Sequence, residues 1–405
     1  MRKKILFVIL DGAADNIEKT PLMLAFKPNL DLLTKNGFAG LMENREGKHP
    51  DSGISNFVLL GYDKNEYPGR GYLEALGINL KITPESVYIR ANFASVKEVM
   101  EDKLKTGTFK PRLLVVDRRG GRDNSGLSEM SKTIKEFFLD GVRIDFYKSL
   151  AHRGVVALNS INISPNVSGS DPNEEGNEVL EIRALTQDNE AVKTAAALNK
   201  FSKEVYKILK EHPSNKYRKV PANYILLRGA SCYQYVKSFK DSFGLNGACV
   251  AASPVIKGIA RSMEMDIIEV SGATADMKTN LSEKVLKALD ALKKYDFVIL
   301  HILGTDIASH DKDFNLKRFF IEKIDREIFR RILEYTDFEK TMVVVTSDHV
   351  TSVKTGEHSA GFIPFTIFTK GIKSNNIQKF DEENCKQGPV INIEDFMEKV
   401  VSFEV

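Results

Sequence analysis

In three segments of the chain, imidazole and carboxylate stand together just beyond stretches that read as strands: His301-Ile302-Leu303-Gly304-Thr305-Asp306-Ile307-Ala308-Ser309-His310-Asp311, Thr346-Ser347-Asp348-His349, and Glu357-His358. Asp306 and His310 are spaced i, i+4, which on a helical turn brings both to one face, within reach of a single cation. Taken alone, that spacing more often describes a solvated helix face, and an adjacent Asp348-His349 is common in loops. Asp11 closes the first apolar run, where it could also cap a helix before Gly12. Jointly, Asp11, Asp306, His310, Asp348, His349 and His358 each fall where a strand gives way to its following loop, the end at which parallel α/β sheets gather ligands. Six oxygen and nitrogen ligands without a thiolate suit two divalent ions such as Mn²⁺ or Zn²⁺. Two such ions roughly 4 Å apart clamp both oxygens of an in-line phosphoryl displacement.

That reaction needs a nucleophile, and His49-Pro50-Asp51-Ser52-Gly53-Ile54-Ser55-Asn56-Phe57 offers Ser52 in a tight turn before a helical run through Leu60. At a helix N-terminus its oxygen meets backbone N–H groups and a partial positive charge, which suits a phosphorylated product. The same position is also that of an ordinary N-cap.

The elements that must position these groups read as α/β. Residues 5–10, 296–300 and 342–345 are short continuous apolar runs, the texture of strands buried on both faces of a parallel sheet. Between them lie helices near 279–294, with Leu281, Val285, Leu286 and Leu289 in one stripe, and near 316–335, with Phe319, Phe320, Ile324, Ile328 and Ile332 in another. Pro28-Asn29 opens a further helix that Gly37 stops. The middle of the chain alternates, as in Val87 to Phe93, with strands at 112–116 and 154–158 and a polar loop from Pro165 to Asn177. This predicts a metal-binding domain of residues 1–84 and 246–405, its sheet covered by helices on both faces, interrupted by a smaller α+β domain of residues 85–245.

Composition narrows the class. With 58 Lys+Arg against 55 Asp+Glu, the net charge of +3 argues against nucleic acid or an anionic membrane as the main partner. Cys232, Cys249 and Cys385 are too few and too scattered for a disulfide framework or a thiolate metal site, so a reducing, cytoplasmic compartment is expected. The basic start Met1 to Lys4 followed by Ile5 to Leu10 imitates a leader, but the apolar run is too short and Asp11 ends it, so it reads as a strand. No apolar run approaches the roughly 18 residues of a membrane span.

Several motifs occur in a fixed order: Leu10-Asp11-Gly12, Asp51-Ser52, Leu59-Leu60-Gly61-Tyr62-Asp63, Gly69-Arg70-Gly71, Ala91-Asn92-Phe93-Ala94, Asp117-Arg118-Arg119-Gly120-Gly121-Arg122, His152-Arg153-Gly154, Leu227-Arg228-Gly229-Ala230, Lys257-Gly258-Ile259-Ala260-Arg261, Gly304-Thr305-Asp306 with His310, and Ser347-Asp348-His349 with His358. Together they resemble the archaeal-type 2,3-bisphosphoglycerate-independent phosphoglycerate mutases, a branch of the alkaline phosphatase superfamily, from about residue 4 to about residue 370. The resemblance implies an alkaline-phosphatase-like sheet with an inserted domain that closes over phosphoglycerate. It implies Ser52 as transient phosphate carrier, one metal on Asp306, His310 and His358, and a second on Asp11, Ser52, Asp348 and His349. It implies Mn²⁺ first, with Zn²⁺, Co²⁺ or Mg²⁺ as alternatives, no 2,3-bisphosphoglycerate primer, and a place in glycolysis or gluconeogenesis. Two positions depart from the family pattern: Gly53 and Asn56 stand where an acidic residue and a histidine are usual.

The basic residues acquire a role through the same resemblance. Arginine forks pair bidentately with carboxylate or phosphate, and phosphoglycerate offers both. Arg118, Arg122, His152, Arg153, Arg228, Lys257 and Arg261 are expected to hold substrate, and Asp117 either orients an arginine or handles a hydroxyl proton. A surface turn and a solvated helix face are the plain alternatives. A phosphatase or phosphodiesterase of the same superfamily, and a non-catalytic metal-binding relic, are the competing readings of the whole chain.

Overall fold

The computed structural model describes residues 3–44, 51–102 and 109–403; Met1, Arg2, His49 and Pro50 lie outside them. The chain divides into two compact units, Met1–Tyr67 with Val236–Val405, and Pro68–Tyr235. Residues 68–84, expected in the flanking domain, go with the second unit because the helix Arg70–Gly77 packs on that unit's strands Ser86–Asp102 and Tyr224–Cys232, and residues 236–245, expected in the insertion, go with the first, where Phe239 packs on Phe297 and Phe243 on Tyr62. Among the described residues no helix is long and apolar enough to cross a membrane.

The first unit is built on an eight-stranded sheet. Its order is Asp266–Ile267, Gly247–Val250, Phe297–Ile302, Lys4–Leu10, Thr341–Thr346, Gly361–Phe368, Phe38–Asn44 and Val390–Asn392, and only Gly361–Phe368 runs against the rest. The three apolar runs are the central, parallel strands: Leu10 pairs with Ile302 and Ile9 with Thr346. Their carboxyl ends therefore lie side by side, and the residues that follow each strand meet at one edge of the sheet. Helices cover both faces. On one, Leu6, Val8 and Leu10 pack with Leu281 and Val285 of Leu281–Ala291 and with Phe320 and Ile324 of Phe314–Ile324; on the other, Phe7 meets Phe297 and Phe396 of the helix Ile393–Val401.

The predicted helix 316–335 is interrupted by a π turn at Asp325–Phe329. Its Asp325 carboxylate accepts from the Leu30 N–H (2.8 Å) and from Asn29 Nδ2 (2.7 Å). This serves the start of the helix Pro28–Asn36, whose own N-cap residue Lys27 makes no side-chain cap.

The second unit is a six-stranded antiparallel sheet with Ser86–Asp102 at its centre. Val87, Ile89, Ala91 and Phe93 face the long helix Asn189–Lys210, burying Leu198, Phe201 and Val205. Since successive strand residues point to opposite faces, Arg90 and Asn92 turn the other way. There Arg90 lies opposite Arg228 and Asn92 opposite Arg153. Gly71 lets the helix Arg70–Gly77 approach closely, because a Cβ there would stand 2.0 Å from the Tyr88 carbonyl oxygen.

Candidate active site

The loops beyond the three central strands bring the carboxylates and imidazoles together. Asp306 lies in the first turn of the helix Gly304–His310, which follows the strand Phe297–Ile302 directly, so the i, i+4 spacing is helical and His310 Nε2 stands 3.3 Å from Asp306 Oδ2. His358 Nε2 is 3.3 Å from Asp306 Oδ1 and 3.2 Å from His310 Nε2. His310 Nδ1 reaches the Gly356 carbonyl oxygen at 2.7 Å and therefore carries the proton, leaving the Nε2 lone pair aimed at the cluster. Three donor atoms this close suit one cation. At bonds of about 2.1 Å, ligand atoms are separated by about 3.0 Å at right angles and about 3.4 Å in a tetrahedron.

A second group adjoins the first. Asp348 Oδ1 accepts from the N–H groups of Gly12 and His349, each at 3.0 Å, and its Oδ2 accepts from Asn56 Nδ2 at 2.6 Å. His349 Nε2 lies 3.3 Å from Asp348 Oδ2 and 3.4 Å from Asp11 Oδ1. Its ring stacks on that of His358 with centroids 3.9 Å apart, so His349 stands between the two groups. Asp11 Oδ1 and His349 Nε2 are buried without a hydrogen-bond partner.

The electrostatics point the same way. Burial and the Asp11 charge push the Asp348 carboxyl up to about 6. Burial opposes charge on His349, but Asp348, Asp11 and Asp306 overcome it and lift the imidazole to about 10. For Asp306, burial is outweighed by His310 and His358, which hold it well below the ordinary range. Asp348 and His349 rise for one reason, carboxylates crowded into a dry site, whereas Asp306 is lowered by the imidazoles beside it; divalent cations would neutralise the crowded carboxylates. Asp11, Asp306, His310, Asp348, His349 and His358 thus fit the implied metal pair.

Ser52 is the first residue of the helix Ser52–Leu59 and not its cap; Asp51 is the N-cap and accepts from the Gly53 N–H at 2.7 Å. Gly53 is close-packed, a Cβ there falling 2.3 Å from the Tyr67 hydroxyl. Asn56, one turn on, donates to the Ser52 carbonyl oxygen (2.8 Å) as well as to Asp348, tying the start of this helix to the metal-ligand group.

Sequence reasoning missed His301. The last-but-one residue of a fully buried strand, it places Nε2 3.1 Å from Asp11 Oδ2 without hydrogen-bond geometry, and its donor atom lies within 4.8 Å of those of Asp11 and Asp348. An ionisable residue inside an otherwise apolar strand was the available signal.

In the second unit, Arg90, Arg119, Arg122 and Arg153 surround His152. Burial first, and then these charges, hold the imidazole down at about 2, so it is neutral at physiological pH. Buried Glu74 accepts from Arg70 Nε (2.7 Å) and sits 3.4 Å from Arg90 Nε, within the field of Arg153. Arg228 adds a further charge beside Arg90. Arg118 is engaged by a carboxylate: its Nε and Nη2 bind buried Asp171 bidentately at 2.8 and 2.7 Å, and it shares Asn173 Oδ1 with Arg228. Asp117 accepts from the Arg119 N–H at 2.7 Å. Arg218, unnoticed in the sequence, is buried beneath the arginine-rich turn and donates to the carbonyls of Gly120, Asp123, Ser125 and Val220. Lys257 and Arg261 share the first unit's helix Pro254–Ser262, where Lys257 pairs with Glu269 at 2.6 Å. Burial pushes the Cys249 and Cys385 thiols up to about 12, leaving them inert.

The family model of 2,3-bisphosphoglycerate-independent phosphoglycerate mutase matches residues 34–215. A protein of that name from Methanopyrus kandleri is 38% identical over 401 residues, covering 96% of this chain and 93% of its own. The chain belongs to this family. As a family member it is an isomerase. A relative from Methanocaldococcus jannaschii is 37% identical over 95% of this chain and 93% of its own. The solved cofactor-independent phosphoglycerate mutase of Thermoplasma acidophilum is 31% identical with a TM-score of 0.60, covering 98% of each chain. A solved protein of Pyrococcus horikoshii has a TM-score of 0.78 at 28% identity, covering 100% of this chain and 99% of its own.

Proposed function

We propose that this phosphoglycerate mutase family member interconverts 3-phosphoglycerate and 2-phosphoglycerate by passing phosphate through Ser52. The observation that carries the reading is the joined pair of carboxylate–imidazole groups linked through Asn56 to the first turn of the serine helix. Asp306, His310 and His358 hold one divalent ion, and Asp11, Asp348, His349 and Ser52 the other, with His301 beside Asp11. Bound there, the ions lower the pKa of the serine hydroxyl and neutralise phosphate charge.

Ser52 Oγ gives up its proton and bonds to phosphorus as the bond from phosphorus to O3 of glycerate breaks, O3 taking up a proton. Glycerate reorients and its 2-hydroxyl loses a proton and attacks the phosphoserine; Ser52 Oγ leaves and is reprotonated. Retention of glycerate against water distinguishes a mutase from a phosphatase. Arg122, Arg153 and Arg228, with Arg90 and Arg119, supply guanidinium charge for carboxylate and phosphate. Neutral His152 offers a hydrogen bond to a glycerate hydroxyl, and Asp117 shapes the turn that carries Arg119. Arg118 acts by fixing the segment around Asp171, and Lys257 and Arg261 add basic contacts.

The test incubates purified protein with Mn²⁺ and 3-phosphoglycerate and follows 2-phosphoglycerate and inorganic phosphate together. Isomer formation with little phosphate is expected; stoichiometric phosphate without isomer would replace the mutase reading with a phosphatase.

A further inference from the structure

Thr351 belongs to neither of the metal-ligand groups assigned above, yet its hydroxyl touches a member of each. It sits on the short antiparallel ribbon formed by Val350–Thr351 and His358–Ser359, directly opposite His358. Its backbone is fixed on both sides: the N–H donates to the Ala14 carbonyl at 3.0 Å, and the carbonyl accepts from buried Lys317 Nζ at 3.0 Å. The side chain is wholly buried, with Oγ1 3.1 Å from Asp306 Oδ1 and 2.9 Å from His349 Nδ1.

Proton counting allows one arrangement that satisfies both contacts. A carboxylate only accepts, so the single hydroxyl proton of Thr351 goes to Asp306; Oγ1 then accepts, and His349 Nδ1 must carry a proton. With a proton so fixed on Nδ1, Nε2 is the atom that faces Asp11 and Asp348, and the one whose lone pair would serve a cation once its own proton is displaced. One hydroxyl thereby sets the tautomer of a ligand in one group and orients the carboxylate of the other. The packing leaves no slack in this arrangement, since a Cβ on Gly12 would fall 2.6 Å from Thr351 Oγ1 and 2.8 Å from Asp306 Oδ1.

We propose that Thr351 is a positioning residue that links the two metal sites through the chain His349 Nδ1–H to Thr351 Oγ–H to Asp306 Oδ1, so that both sites depend on one hydroxyl. The proposal rests on the two-metal reading above. Outer partners of metal ligands typically contribute 10- to 100-fold in affinity, about the size of effect expected here at each site.

The experiment titrates metal-free full-length protein with Mn²⁺ by calorimetry, with metal content checked after dialysis, for the unchanged chain, Thr351→Val, Thr351→Ala and Thr351→Ser. Thermal unfolding of each metal-free variant establishes that it is folded, and Thr351→Ala serves if the valine variant is not. Two equivalents are expected for the unchanged chain, about tenfold or greater weakening at both sites in Thr351→Val and Thr351→Ala, and near-complete rescue in Thr351→Ser. Weakening at one site alone, unchanged affinities without the hydroxyl, or equal weakening in Thr351→Ser would overturn the linkage. Failure of the unchanged chain to bind two equivalents would instead overturn the metal reading beneath it.

Discussion

Gly12 contributes no ligand, yet the metal groups are arranged around the space its missing side chain leaves. Its φ of +61° is in the left-handed region, and its N–H orients Asp348. Gly12→Ala is predicted to destabilise the fold by on the order of 1–3 kcal/mol through overpacking against Thr351 and Asp306, and to weaken metal binding. Urea unfolding of the metal-free protein checks this, and an unchanged midpoint would count against it. The metal-binding candidates were legible in sequence because imidazole and carboxylate recur together just beyond several apolar runs. Thr351 was not, because its contacts depend on which strand ends become neighbours; His301 showed only as an ionisable residue in an apolar strand, and its place beside Asp11 emerges from the pairing of two strands distant in sequence. Asn56 was legible only as a departure from the family pattern, and its bonds to Ser52 and Asp348 emerge from the packing of the serine helix.

The arginine-rich turn Asp117–Arg122 illustrates how an element is held by a residue far along the chain. Arg218 spends its guanidinium on four carbonyl oxygens there and beside it, so Arg218→Met leaves them without their donor. A loss of about 2–4 kcal/mol is expected, with faster proteolysis within residues 118–125; equal stability and cleavage would contradict the assignment. The same cluster makes a pH prediction. His152 is held at about 2 against an ordinary 6.5, so below 6.5 the unfolded chain binds a proton that the folded chain does not. Its contribution to stability is complete above pH 6.5 and is lost as pH falls toward 2. Its imidazole resonance should show no titration between pH 5 and 8, and a midpoint near 6.5 would remove it from the cluster. The elements themselves followed from period and punctuation, as with the strand Lys4–Leu10 and the helix Pro28–Asn36. The π turn at Asp325–Phe329 did not, because it answers a capping demand from a helix almost three hundred residues away in sequence.

Across the whole molecule, a net charge of +3 conceals two opposed local fields. The carboxylate–imidazole site belongs entirely to the unit of Met1–Tyr67 and Val236–Val405, and the arginine cluster around His152 to that of Pro68–Tyr235. Metal should therefore stabilise the first unit directly, by about 2.7 kcal/mol for each site at which the free ion is at 100 times its Kd. Hydrogen exchange with and without Mn²⁺ is expected to show the gain in Lys4–Leu10, Phe297–Ile302 and Thr341–Thr346, and no gain there would contradict the placement. The reaction itself is tested most directly by acid-quenching turnover of 3-phosphoglycerate carrying labelled phosphate and mapping the protein-bound label. Label on Ser52, absent in Ser52→Ala together with all 2-phosphoglycerate formation, is the predicted result; label on another residue, or isomerisation that survives the loss of Ser52, would contradict it.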